Sequence, residues 1–424
     1  MTEVFLILIQ TLLIVVLTLG ASLLVNSGKE IRALDLFFGV LACTSVFYYT
    51  YLLSESKHIS GIITIVFGLA GYIRNYLLKR NSTSSFFKLL GSSLSKSEFF
   101  AIFVIVLYVF FEVSTRKLIA GDALAVYYLK AKAIYYGIPI VDMPTASYSI
   151  FPSVMWFLFS SYVGIEAGAE YSRYWFSLVS VIGVYGLLRL SITDRPAYLL
   201  IFSMLFAYTS FRVHGHYPIT MGYFDWLVGC MLGCLVYILF YDDRNFIDKT
   251  LPILLLSSIG LVKLEGIVYA NIVFFIYLLK IKDSHDDLGR IFLTIALFNC
   301  ASLSYLMYIK FVVGVFDYQV FKINESRSIF DVLWLLLVEA KNFWREALFI
   351  GLIYVISLFK VGRVPASQLL FFIFIYSFYV LTYYTTAVDV AWHVVTSFQR
   401  LMYQTIPSLL LFTAINFNKS EKIK

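Results

Sequence analysis

"VFLILIQTLLIVVLTLGASLLV", residues 4–25, runs for twenty-two residues without a charged side chain. A helix rises about 1.5 Å per residue, so about 20 apolar residues cross the hydrocarbon core of a bilayer. The run has no basic lead and no Ala-x-Ala-like exit, so it is expected to be a retained span and not a cleaved leader. Similar runs recur at roughly 33–53, 60–78, 98–114, 173–190, 196–211, 224–241, 251–262, 266–281, 291–313, 347–361, 367–386 and 401–417. The 424-residue chain is 60% hydrophobic and only 14% charged, against about a quarter charged in a soluble domain. The expectation is an all-α polytopic transmembrane helical bundle of about thirteen spans. Two short aromatic-rich segments, 151–165 and 329–339, are expected to be interfacial or half-inserted, the first of them in a long external loop at 115–172.

Charge sets the orientation. With the amino terminus outside, the inner ends hold nineteen of the thirty-three Lys and Arg residues, mostly in short loops, and positive residues favour the cytoplasmic side. The carboxyl terminus is then cytoplasmic. Five basic residues between 116 and 173 break the pattern on the outer side and call for a reason. The net charge of +7 is spread over many loops, which fits membrane orientation and not a nucleic-acid partner. Cys43, Cys230, Cys234 and Cys300 all lie in apolar runs, and no ligand-spaced partner joins them, so they read as packing residues.

Four outward patches collect the polar residues: "GDALAVYYLKAKAIYYG" (121–137) with "PTASYSIFPS" (144–153), "RVHGHYPITMGYFDW" (212–226), "VKLEG" (262–266) and "WHVVTSFQRLMYQTIP" (392–407). Each has a plain structural reading. Asp122 after Gly121 suits a helix cap. Tyr127, Tyr128, Tyr135 and Tyr136 suit an interfacial belt, and Lys130 and Lys132 suit snorkelling. Lys263 and Glu265 suit a structural pair, and His214-x-His216 is a weak metal signal. Yet all four fall on one face, where ionisable groups at membrane depth are costly and mark a site. A carboxylate can take a proton from an acceptor hydroxyl, while Lys and Arg hold a phosphate and stabilise it as a leaving group. Beside lipid-facing helices, that set suits attack by an alcohol on a lipid-phosphate-linked sugar, in a cavity that keeps water out.

The order of these motifs resembles the GT-C class of integral-membrane glycosyltransferases over about residues 98–417. "GDALAVYYLKAKAIYYG" is similar to the first external loop of bacterial members, with its Asp and aromatic-rich helix. "ASYSIFPSVMWF" resembles their Tyr-Pro segment, with Phe151 intervening before Pro152. "GYFDW" resembles a Gly-Tyr-Ala-Asp element, "KLEG" a Lys-Asn-Glu-Gly element with Leu264 in place of Asn, and "SFQRLMYQTIP" a Ser-x-x-Arg-Leu element. The resemblance implies a polyprenyl-phosphate-sugar donor, inverting transfer of a hexosyl or pentosyl group, and a glycan or lipid acceptor of the cell envelope. It places the active site on the outer face of a bacterial cytoplasmic membrane. It carries the catalytic-base role to Asp122 and supporting roles to Asp225 and Glu265. It implies donor-phosphate contacts from Lys130, Lys132, Lys263 and Arg400, with Tyr127, Tyr128, Tyr148 and His393 lining the pocket. No cofactor is required by the spacing, although Asp122, Asp225 and Glu265 would hold a divalent metal if they converged.

The chain divides into additional N-terminal helices at 1–97 and a catalytic module at 98–424. The three additional spans before 98–114 depart from the simplest layout of the class, which has one span before the loop. An undecaprenyl-linked glycan polymerase or ligase is the nearest alternative, but its basic residues would be expected in large later loops. A lipid or sugar transporter would show paired repeats around a midplane site, and no repeat is legible. The topology is checked by cysteine labelling. Cysteines introduced at 82–87 should be shielded from an impermeant thiol reagent and those at 143–147 should react; the reverse pattern would overturn the orientation.

Overall fold

The computed structural model describes residues 2–25, 33–78, 96–115, 123–143, 148–161, 164–191, 201, 224–281, 288–314, 328–342, 344–362, 364–386 and 389–419. Regular structure among them is helical throughout: α1 (Thr2–Val25), α2 (Ala33–Ser54), α3 (Lys57–Leu78), α4 (Lys96–Thr115), α5 (Leu129–Tyr136), α6 (Phe151–Ser160), α7 (Ile165–Ser191) and α8 (Asp225–Phe240). Then follow α9 (Phe246–Leu255), α10 (Ser258–Val262), α11 (Leu264–Ile281), α12 (Leu288–Tyr308), α13 (Ile329–Asn342), α14 (Trp344–Val361), α15 (Ala366–Thr385) and α16 (Val390–Lys419). A π-helical turn, Ala123–Tyr128, leads into α5, and another, Ile309–Val313, closes α12.

Seven described helices are long and apolar enough to cross a membrane, and four shorter apolar helices accompany them. The structure departs from the expected spans in three places. The stretch 251–262 is not one helix: the chain breaks at Leu256–Ser257 between α9 and α10. Hydroxyls satisfy carbonyls around the break, Ser257 Oγ donating to Leu254 O (2.6 Å) and Ser302 Oγ to Ser257 O (2.6 Å). The segment expected at the interface from residue 151 becomes α6, whose Phe151, Val154, Met155 and Trp156 are fully buried. The last span begins at Val390 and runs for thirty residues, because its buried side chains include Gln399, Gln404, Ser408 and Asn416, which hydropathy alone discounts. The span expected at 196–211 lies outside the described residues apart from position 201.

Small residues set how closely the helices approach. A Cβ on Gly229 of α8 would stand 3.0 Å from the carbonyl oxygen of Gln404, and one on Gly233 would stand 2.8 Å from Leu187. This Gly-x-x-x-Gly face therefore lets α16 lie directly on α8, as small residues do where lipid supplies no hydrophobic drive. The first three helices use the same device. A Cβ on Gly71 of α3 would stand 1.8 Å from the carbonyl oxygen of Gly20 on α1. Helix α2 in turn packs on α7, where a Cβ on Gly186 would stand 2.5 Å from the backbone nitrogen of Leu34. Between α11 and α12, Asn271 and Asn299 exchange amide hydrogen bonds of 2.7 and 3.0 Å.

These contacts predict opposite outcomes for two alanines in one helix. Gly71→Ala forces α1 and α3 apart and should cost about 1–3 kcal/mol, read as a lower midpoint of heat-induced aggregation in detergent. Gly61→Ala meets nothing within 4 Å and should leave that midpoint unchanged or raise it.

Candidate functional site

The site forms where α8 and α11 begin and α12 and α15 end. Lys263 makes the turn between α10 and α11 in extended conformation, φ −153° and ψ 140°. Two glycines flank that turn: a Cβ on Gly260 would stand 2.3 Å from Ile267, and one on Gly266 would stand 2.7 Å from Ile259. The chain can double back there only because neither residue carries a side chain. The turn directs the Lys263 ammonium at Asp225, the first residue of α8.

Asp225 is completely buried. Its Oδ1 accepts from Lys263 Nζ (2.6 Å) and Gln404 Nε2 (2.6 Å), and its Oδ2 accepts from Arg400 Nε (3.2 Å). Arg400 and Gln404 sit one helical turn apart on the face of α16 that Gly229 admits. The clamp thus joins residues from 175 to 179 positions apart with one from the α10–α11 turn. One carboxylate against two cations leaves a net charge of +1.

Above the clamp lies a cavity of about 470 Å³, in the size range of ligand sites. Lys263, Glu265, Arg400, His393, Tyr127 and Tyr148 all line it. Glu265, in the first turn of α11, is half-buried and makes no hydrogen bond or ion pair among the described residues. His393 Nδ1 lies 2.9 Å from Thr386 Oγ1, and its ring meets Tyr383 edge-on at 5.1 Å. Tyr383 OH lies 2.9 Å from Ser397 Oγ, and Tyr379 OH donates to Leu401 O (2.8 Å). An aromatic layer thereby fixes the α16 wall.

Three of the expected residues stand behind the cavity wall. Tyr128 packs against Trp156, with ring centres 5.5 Å apart. Lys132 places its ammonium 5.5 Å from the centre of the Tyr128 ring. Lys130 is fully buried; it donates to the carbonyl oxygen of Tyr148, and its ammonium lies 6.0 Å from the centre of the Tyr305 ring. Tyr148 and Tyr305 both line the cavity, so Lys130 braces the wall from outside it. Asp122 lies outside the described residues, one position before the π-helical turn that supplies Val126 and Tyr127 to the lining. His214 and His216 also lie outside them.

Gln404, Tyr305, Ser302 and Thr386 belong to the site without having been singled out. Gln404 had a signal, since it follows Arg400 by four residues and shares its helix face. Tyr305 and Ser302 sit in an apolar run with nothing to mark them. Among the described residues no three His, Cys, Asp or Glu side chains are grouped as a metal site. Both oxygens of Asp225 are already engaged, so Glu265 is the carboxylate that faces the cavity among the described residues. No family model, no curated protein and no solved structure matches the chain.

Burial pushes the Lys130 ammonium down to about 7. An unfolded lysine titrates near 10.4, so between about pH 7 and pH 10 the unfolded chain holds more protons and the site adds stability as pH rises. Below pH 7 both states are charged and the full burial penalty stands. Lys130→Met should therefore stabilise the protein relative to wild type most at pH 6, with the difference shrinking toward pH 9, as measured by unfolding in detergent. A difference independent of pH would show that the ammonium is not desolvated.

Proposed function

We propose that the chain is a membrane glycosyltransferase that moves a sugar from a polyprenyl-phosphate donor to an envelope glycan or lipid acceptor on the outer face of the cytoplasmic membrane. The observation that carries this reading is the meeting on one cavity wall of two cations, Lys263 and Arg400, with a carboxylate, Glu265, that makes no ion pair among the described residues. The GT-C-like order of the motifs supports it as well.

In this reading the acceptor hydroxyl oxygen attacks the anomeric carbon from the face opposite the phosphate. The bond from that carbon to the phosphate oxygen breaks, the configuration inverts, and the hydroxyl proton passes to a carboxylate. Negative charge grows on the departing lipid phosphate, where the net positive charge of the clamp stabilises it. Asp225 is not the base in this reading: both of its carboxylate oxygens are engaged by Lys263, Gln404 and Arg400, which leaves neither turned to an acceptor hydroxyl. Asp225 instead fixes the two cations at the wall. The base is Asp122, on the strength of the motif, with Glu265 as the carboxylate placed to replace it. Tyr127, Tyr148 and Trp392 screen the donor from water.

The test is mass-tagged transfer from a panel of polyprenyl-phosphate sugars by the purified full chain in nanodiscs. Asp122→Asn should retain folding and donor binding and lose about 10²–10⁴-fold in transfer, the usual cost of removing a general base. Arg400→Ala should cost roughly ten- to a hundredfold, and Arg400→Lys should restore part of that, since lysine lacks the planar two-point contact. A wild-type rate for Asp122→Asn with loss in Glu265→Gln moves the base to Glu265. Wild-type rates in both variants and in Arg400→Ala would refute the reading.

A further inference from the structure

The cavity described above makes no use of α1 and α3, yet these helices build a second hollow. They are pinned by the Gly20–Gly71 contact, and by Gly68, where a Cβ would stand 2.8 Å from Leu17. Toward their amino-terminal halves they diverge, and with α2 and α6 they leave a groove of about 430 Å³. Leu13, Leu17, Val40, Phe47, Ile62 and Phe157 give it an apolar lining. One side is open: Ile62 is 62% exposed, and a Cβ on Gly61 would meet nothing within 4 Å. The inner end is closed by the glycine contact.

The mouth of the groove is basic. Lys57 and His58, in the first turn of α3, line it with Tyr135 and Ser161. Lys57 donates to the carbonyl oxygen of Tyr135 and holds its ammonium 5.1 Å from the centre of that ring. It remains half-exposed, and an ammonium carries three donors, so two are left for a ligand. His58 is exposed. Glu55, two residues before Lys57, is turned to α12, where its Oε1 accepts from Tyr308 OH (2.8 Å). The amino-terminal end of α3 adds its own partial positive charge.

We propose that this groove binds a second lipid, a single isoprenoid or alkyl chain whose phosphate headgroup rests on Lys57 and His58. Charge complementarity selects the occupant. A neutral lipid tail would need only the apolar trough, whereas two basic side chains at a helix amino terminus match a phosphate on the end of the chain. The closed inner end suits one tail entering from the side. This site is separate from the Asp225 clamp, and binding to it requires no transfer reaction.

The experiment is photolabelling of the purified full chain in phosphatidylcholine nanodiscs with farnesyl phosphate that carries a diazirine at the chain end. Peptide mapping should place label on residues 13–18 or 61–65, competed by unlabelled farnesyl phosphate but not by farnesol or inorganic phosphate. Gly61→Trp, which fills the open trough, and the double variant Lys57→Gln/His58→Gln should each reduce that label about tenfold or more, the scale of one charge-assisted contact. Arg400→Ala should leave it unchanged, which separates this site from the cavity over the clamp. Absence of label from these peptides, competition by farnesol equal to that by the phosphate, or undiminished label in the double variant would overturn the proposal. Should Gly61→Trp fail to purify as a single species, the double variant decides alone.

Discussion

A carboxylate taken out of water without partners costs several kcal/mol, and Asp225 is taken out completely. The chain can bury it only by bringing Lys263 from the α10–α11 turn and Arg400 and Gln404 from α16 to the start of α8. Each of those approaches rests on a residue without a side chain. Gly229 admits α16, and Gly260 and Gly266 admit the turn that carries Lys263. The clamp and the glycines are one device. Backbone proximity makes the ion pairs reachable, and the ion pairs make any other register expensive, because a shift of α16 by one turn would strand a buried charge.

The same arithmetic gives the cavity its character. Had Asp225 met one cation, the clamp would be neutral; with two, it carries a net positive charge that shares the cavity lining with the Glu265 carboxylate, in a setting where apolar helices screen little of either. Lys130 shows the opposite solution. It meets a carbonyl and an aromatic ring and no counter-ion among the described residues, so burial weakens its charge and not the protein's hold on Tyr148. Two lysines near one cavity thus do different work: Lys263 is ion-paired with Asp225 at the wall, and Lys130 supports the wall from behind.

How much of this could be read from the chain follows from which signals are local. Apolar runs such as 4–25 and 266–281 give helices because length and hydropathy are properties of a single segment. Asp225, Lys263, Glu265 and Arg400 stood out because each is ionisable within an apolar stretch. Whether Asp225 serves as a base or as an anchor is not local, since it depends on which donors lie within 3.2 Å across three elements. The break at Leu256–Ser257 was hidden in the same way. Ser257 and Ser258 look like ordinary small residues in a span until Ser302, forty-five residues on, is seen to donate to the Ser257 carbonyl. Tyr128 and Lys130 were placed on the cavity because they share a motif with Tyr127, yet on a helix neighbours in sequence face different ways.

Helix α16 shows why the polar content of a span carries information that hydropathy averages away. Its amino-terminal half bears Arg400 and Gln404 for the clamp. Its carboxyl-terminal half bears Asn416, whose amide exchanges hydrogen bonds with Gln368 of α15 (3.1 and 3.2 Å) and donates to Ser357 of α14 (3.2 Å). Tyr354 OH donates to Gln368 Oε1 (2.9 Å), so the network around Asn416 is built of neutral groups, with the Lys360 ammonium over the Phe417 ring beside it (4.6 Å). The two ends therefore differ in kind. Neutral amides can be paired anywhere in a bundle at modest cost, but charges are kept where a cavity lets them act on a ligand. Between the ends stands Pro407, which lacks the N–H that would complete the helix ladder and packs against Gly229 and Gly233. The ring that interrupts the ladder thus rests on the α8 glycines about one turn beyond Gln404, so the close approach of the two helices and the hydrogen bond that holds Asp225 depend on the same short stretch of α16.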